Sequence, residues 1–224
     1  MWFLQSGISF TDILMRILSV LVIIFLILPL HECAHGFIAY KLGDPTAKNS
    51  GRLTLDPIPS IDPIGALGIL LFGFGWAKPV PVNPNNFKNP KRDMAITALA
   101  GPVSNILAAI IGGLLFNTVL LFHSSIPTQV LQLITIFFQY YILINIGLAV
   151  FHLIPLPPLD GSRIIAAFMS DKTMYNYYKY QNIIMIAVFI LIFTGILSIP
   201  LSLAQSFLYK FIMNITAFPF SFWS

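Results

Sequence analysis

Two histidines four residues apart, His31 and His35, bracket the chain's only glutamate, Glu32, in the run HECAH. On a helix, positions i and i+4 share a face. Both imidazoles can then reach one Zn2+ at about 2.0–2.1 Å, and Glu32 stands close enough to His31 to act as base toward a water there. A catalytic zinc usually takes three protein ligands and keeps the fourth position for water, so a further donor is required. The best candidate is Asp160, which follows three prolines in FHLIPLPPLDG, residues 151–161. Those prolines cannot continue a helix, and irregular backbone at membrane depth is tolerated only where it is buried in protein or lines a wet cavity. The plainer alternative is that Asp160 caps the short helix starting near Ser162, and at this level both readings stand.

The rest of the chain supplies the context. Hydrophobic residues make up 57% of the 224 and charged residues 9%, with a mean hydropathy of +0.86. No soluble domain of this size has that composition, and several apolar stretches are long enough to cross a hydrocarbon core of about 30 Å. Ionisable residues at the bilayer centre cost about 2.5–3.5 kcal/mol each on insertion scales, so His31, Glu32 and His35 in an apolar helix need a compensating role, which metal ligation supplies. The formal charge of +4 flanks apolar spans without aromatic interleaving, which suits the lipid surface and argues against nucleic acid. Cys33 is the single cysteine and has no intrachain partner.

The elements that must position these groups read as an all-α polytopic membrane protein with about four transmembrane helices. The spans are Ile13–Tyr40, interrupted by Pro29, then Ala95–Phe122, Val130–Ile154 and Ile183–Ile199, the last ended by Pro200. Beyond Pro200, Leu201, Ala204, Leu208, Phe211 and Ile215 recur at helical spacing with Gln205 and Lys210 off the stripe. That pattern predicts an interfacial amphipathic C-terminal helix. Lys41–Arg92 is rich in Pro, Gly and Asn, with an apolar patch, Ile61–Trp76, broken by glycines. The expectation is one domain over residues 1–224, with the N-terminus retained because the first apolar stretch exceeds a signal peptide's h-region.

HECAH in the first span, AGPVSN at residues 100–105 and LIPLPPLDG before the fourth span together resemble the site-2 protease family of intramembrane zinc proteases. GRLTLDPIPSIDPIGAL at 51–67 and GWAKPVPVNP at 75–84 share the likeness, which covers roughly residues 13–165. The resemblance implies one Zn2+ bound by His31, His35 and Asp160, with Glu32 as catalytic base. It also implies cleavage in or near transmembrane segments of membrane-anchored substrates, in a multi-pass protein of a bacterial or archaeal cell membrane that lacks appended soluble domains. Lys41–Arg92 is then expected to form a membrane-associated β-hairpin or re-entrant segment. Gly101 and Asn105 match the family's GxxxN element, as a close-packing position and an amide that contacts substrate or oxyanion. His152 stands where asparagine is expected and Ser60 where a histidine often precedes IDPIG, so both bear on substrate handling. On its own residues, the glycine-rich segment Ile64–Val82 is a candidate to hold an unwound substrate by strand addition. The alternative to proteolysis is a non-proteolytic zinc-binding or zinc-transport membrane protein, which would spread its ligands along a path where this sequence concentrates them. His123 has no assigned role.

Ten of the twelve Lys and Arg residues fall between spans one and two or between spans three and four, and none lies in the connection from His123 to Gln129. The positive-inside rule puts that connection outside, with both termini, and turns the basic segments and the metal-binding end toward the cytoplasm. A reporter fused at Ser125 is therefore expected on the outer face, and cytoplasmic activity of that fusion would refute the orientation.

Overall fold

The structure is a computed structural model that describes residues 9–72 and 75–220. In chain order its helices are α1 (Phe10–Val22), a π-helical turn (Ile23–Ile27), α2 (Leu28–Lys41), α3 (Thr46–Asn49) and α4 (Pro63–Phe72). They continue as α5 (Pro90–Leu121), α6 (Thr128–His152), α7 (Asp160–Ala166), α8 (Asp171–Lys179), α9 (Gln181–Phe193) and α10 (Ser198–Ala217). Three helical stretches are long and apolar enough to cross a membrane: Phe10–Lys41, Pro90–Leu121 and Thr128–His152. The chain is thus a helical membrane protein. α5 packs against both α2 and α6, and α1 packs against α6.

Ser9 opens α1 with a capping box, its side chain accepting from Asp12 N while the Asp12 carboxylate accepts from Ser9 N, which satisfies donors a helix start would leave bare. Pro29 has no N–H to give and its ring would strike the carbonyl four residues back, at Phe25. The helix widens to accommodate it: Leu28 N donates to Ile23 O, a bond of π-helical spacing, and the stretch continues into α2 without a break. Val20, Ile23, Ile24, Ile27 and Leu28 then form a buried cluster with Ile69 of α4 and Ala108 of α5. The opposite apolar face, including Leu14, Leu18, Leu21 and Phe25, is exposed, as lipid-facing positions must be.

The segment expected as a β-hairpin is built differently, and among the described residues no strand is present. Gly73 and Phe74 of its apolar patch, like the first eight residues of the expected domain, lie outside the described residues. The part from Pro63 to Phe72 is α4, which brings Ile69 into the core. The part from Trp76 to Val82 runs without strand pairing, and Pro79 and Pro81 have no N–H to offer a ladder, which denies a hairpin its hydrogen bonds. Single bonds hold it instead. Lys78 N donates to Ser60 O at 2.9 Å, and Arg52 reaches Lys78 O at 2.6 Å and Pro79 O at 3.3 Å.

The C-terminal region also departs from expectation. α9 has 13 residues, about 20 Å at 1.5 Å per residue, short of a 30 Å core. The expected span to Ile199 is cut by a turn at Gly195, which adopts φ +75°, and Pro200 sits in the first turn of α10, where a proline is tolerated. α10 packs on α5 and α6, burying Ile212 and Thr216, while Phe211 and Ile215 of the expected apolar stripe are exposed. Gln205, expected off the stripe, faces α6 and donates to Leu143 O at 2.9 Å. An amide that finds a carbonyl partner can be buried, which a hydropathy stripe does not register.

At the far end of α2 the chain is pinned by Asp44, which is fully buried. Its carboxylate accepts from Asn83 N at 2.7 Å, Asn86 Nδ2 at 2.6 Å and Thr46 N at 3.1 Å, tying residues 83–86 to the end of the first membrane helix. Burial pushes this carboxyl up, but the hydrogen bonds from Thr46, Asn86 and Asn83 outweigh it and hold it below the ordinary value. A depressed folded pKa means the contribution is complete above the unfolded value, about 4, and fades as pH falls further. Asp44→Asn is expected to lower unfolding stability in detergent by about 1.5–3 kcal/mol at pH 7, with the gap to wild type narrowing below pH of about 4. A gap unchanged down to pH of about 3 would show that the charge is irrelevant.

Candidate metal centre

α2 carries His31, Glu32 and His35 on a helix that is buried at this level, with exposures of 2%, 8% and 6%. The two imidazoles converge, Nε2 to Nε2 at 3.1 Å. Each ring is held by its other nitrogen from α5: His31 Nδ1 donates to Asn105 Oδ1 at 2.8 Å and His35 Nδ1 donates to Thr97 O at 2.7 Å. A carbonyl can only accept, so His35 carries its proton on Nδ1 and turns an Nε2 lone pair inward. His31, bonded to an amide oxygen, is set the same way. Thr97, Gly101 and Asn105 stand at i, i+4 and i+8 on one face of α5, which explains how one helix serves both rings.

Gly101 is where the two helices meet. A Cβ there would lie 2.4 Å from His35 Nε2 and 2.5 Å from His31 Nε2, so any side chain would occupy the space between the inward lone pairs. Asn105 is fully buried, and its Nδ2 has no hydrogen-bond partner among the described residues. The structure therefore brings both GxxxN positions to the imidazoles, Gly101 at the two Nε2 atoms and Asn105 behind His31.

Asp160 closes the figure from α7. It is the first residue of that helix, whose N-cap is Leu159 with no side-chain capping bond, so the capping alternative is not what the carboxylate does. Asp160 Oδ2 lies 3.3 Å from His31 Nε2 and 3.3 Å from His35 Nε2. It gets there because α6 ends at His152 and the chain doubles back through Pro155, Pro157 and Pro158, with Gly161 pressed on the end of α6. A Cβ on Gly161 would stand 2.3 Å from Leu153 O, which only glycine avoids.

The two Nε2 atoms and Asp160 Oδ2 form a triangle of edges 3.1, 3.3 and 3.3 Å. Tetrahedral zinc with bonds of about 2.0–2.1 Å separates its ligands by about 3.3 Å, so the residues fit the ion. No other set of three His, Cys, Asp or Glu side chains among the described residues is so arranged. Glu32, next to His31 in sequence, is buried, and its Oε2 accepts from Val80 N at 2.7 Å, so residues 76–82, the strap held by Ser60, Arg52 and Asp44, reach this carboxylate.

Several partners had little or no signal in the sequence. The Thr97 carbonyl and the Val80 amide are backbone groups that any residue type supplies. The prolines flanking Val80 were the one available hint that its N–H is singled out. His152, singled out in the sequence only as a departure from asparagine, lies with Nδ1 2.8 Å from Asp160 Oδ2 and its ring 4.5 Å from that of His31. Ser60 is buried and meets the strap through its carbonyl. His123 is exposed in the turn after α5.

Comparison with known proteins agrees in kind. Residues 119–195 match the family model of Peptidase family M50. The chain is 48% identical over 139 residues to YwhC of Bacillus subtilis (strain 168), described as a candidate zinc metalloprotease, covering 61% of this chain and 62% of that protein. It is 28% and 30% identical over 149 residues to two proteins described as the candidate zinc metalloprotease Rip2, from Mycolicibacterium smegmatis and Mycobacterium tuberculosis, covering 64% of this chain and 54% of each. The chain thus spans a little over half the length of the curated relatives it matches. No solved structure matches. The family match runs through the proline-rich turn that delivers Asp160, and over that stretch the chain is similar to peptidase family M50.

Proposed function

We propose that this protein is a zinc-dependent intramembrane endopeptidase that hydrolyses peptide bonds in or near transmembrane segments of membrane-anchored proteins. The observation that carries the reading is the His31–His35–Asp160 triangle, sized for a tetrahedral ion. In this reading His31, His35 and Asp160 hold the ion, Glu32 is the catalytic base, and Gly101 and Asn105 shape the floor of the site. Zinc bound there supplies Lewis-acid polarisation of a carbonyl and acidifies water toward a pKa of about 7.

The chain's own residues do the rest. Glu32 takes the proton of the attacking water and returns it to the departing amine, anchored meanwhile through Oε2 to the Val80 amide. Asn105 and the Thr97 carbonyl fix which imidazole nitrogen faces inward. A helical substrate hides its peptide bonds in internal hydrogen bonds and must unwind locally to be cut. A cavity of about 510 Å3 between α1, α4, α6 and α10, lined by Val20, Ile23, Ile69, Leu148 and Phe151, offers apolar surroundings beside the end of α6 for such a segment. The basic connections put the site nearer the cytoplasmic side.

Two experiments test this on protein purified in detergent. Glu32→Gln is expected to keep zinc while cleavage of a reconstituted single-span substrate falls at least about 100-fold. Full activity in that variant would sink the base assignment. Gly101→Ala and Asp160→Ala are expected to lose zinc, the first by filling the space between the imidazoles and the second by removing a ligand. Metal analysis showing wild-type zinc content in both would rule out the site.

A further inference from the structure

Each imidazole of the triangle has a partner that fixes its direction, Asn105 for His31 and Thr97 for His35, both from α5. Asp160 needs one more than they do. It stands on a seven-residue helix beyond a proline-rich turn, no capping bond holds its carboxylate, and the terminal torsion of an aspartate is broad, so the backbone alone does not aim Oδ2. Beyond the two facing imidazoles, the one partner the described residues give this carboxylate is His152, with Nδ1 at 2.8 Å from Oδ2. A carboxylate oxygen has lone pairs for two neighbours, so one can point at the ion while the other takes an N–H.

We infer that His152 is the positioning residue for Asp160, its Nδ1–H pinning Oδ2 at the third corner of the metal triangle. The inference rests on the metal-centre reading above. His152 is the last residue of α6, so it ties the ligand on the short helix α7 to the membrane helix that packs against α5. Its ring is set by neighbours on both sides, tilted 60° against His31 with centroids 4.5 Å apart and edge-on to Phe151 at 6.1 Å. Every corner of the triangle is thereby held from the membrane helices. The role requires a donor at the Nδ1 position and no change of protonation. Asparagine, the residue expected here from the family pattern, carries its side-chain N–H on the same branch atom and should serve in its place.

The test compares His152→Asn, His152→Ala and His152→Phe in the full chain, purified in detergent, with Asp160→Ala as control. The readouts are Zn2+ affinity by chelator competition, the visible spectrum of the Co2+-substituted protein, and thermal unfolding without metal. The Ala and Phe variants are expected to bind Zn2+ about 10–100-fold more weakly and to shift the Co2+ bands, with Asn staying within about threefold of wild type. Unfolding without metal should be unchanged. Wild-type affinity and spectrum in Ala and Phe would refute the inference even if proteolysis fell, since His152 would then act on substrate. Asn as weak as Ala would refute it too. If Ala fails to fold, the Asn and Phe pair decides. Asp160→Ala separates the two levels: if it keeps wild-type Zn2+ affinity the metal-centre reading itself fails, and if it loses zinc while the Ala and Phe variants keep it, only the His152 inference fails.

Discussion

Everything in this fold answers to the convergence of three lone-pair-bearing atoms, His31 Nε2, His35 Nε2 and Asp160 Oδ2, within 3.1–3.3 Å of one another in a buried site. Lone pairs at that separation repel, and burial removes the water that would screen them. The arrangement suits a cation at its centre, and the groups behind it enforce it. Both imidazoles spend their Nδ1 protons on α5, which leaves Nε2 no choice of role. Because that exchange needs α2 and α5 nearly touching, the contact falls at Gly101.

Proline is the second organising feature, and its effect depends on what surrounds it. In the first apolar helix Pro29 is absorbed by a π-helical turn just before His31 and His35, so the helix continues while its face is reset. After α6 the prolines end the helix and send the chain back on itself, and Asp160 returns to the level of His152. In the strap, Pro79 and Pro81 leave the Val80 N–H between them, and that single donor goes to Glu32. Irregular backbone is thus concentrated around the metal centre, where neighbouring protein satisfies the polar groups that lipid could not.

The parts of the fold that the sequence misjudged share a cause. A hairpin was expected where hydrogen bonds to side chains and single carbonyls hold the chain instead, with Asp44 and Arg52 as clamps. An interfacial helix was expected at residues 201–215, but Gln205 finds Leu143 O and Thr216 meets Gly113, so polar side chains face inward. Hydropathy counts a buried amide as a surface residue because it cannot know whether a partner waits across the interface.

Local chemistry was legible in the chain itself. The i, i+4 spacing of two histidines around the sole glutamate, the apolar lengths of the helices long enough to cross a membrane and the helix-ending prolines before Asp160 are one-dimensional facts with direct geometric consequences. Asp160 was only a candidate to join the two histidines, because a carboxylate at a helix start has an ordinary capping role. Tertiary structure decided that Asp160 meets the imidazoles, that His152 stands beside it and that Val80 reaches Glu32. Asp160 and His152 are eight positions apart across the proline-rich turn, whereas Val80 and Glu32 are 48 apart and Asn105 and His31, paired in the same way, 74 apart. Helical spacing carries information across only a turn or two, so such pairings arise only when α2, α5, α6 and the strap pack together.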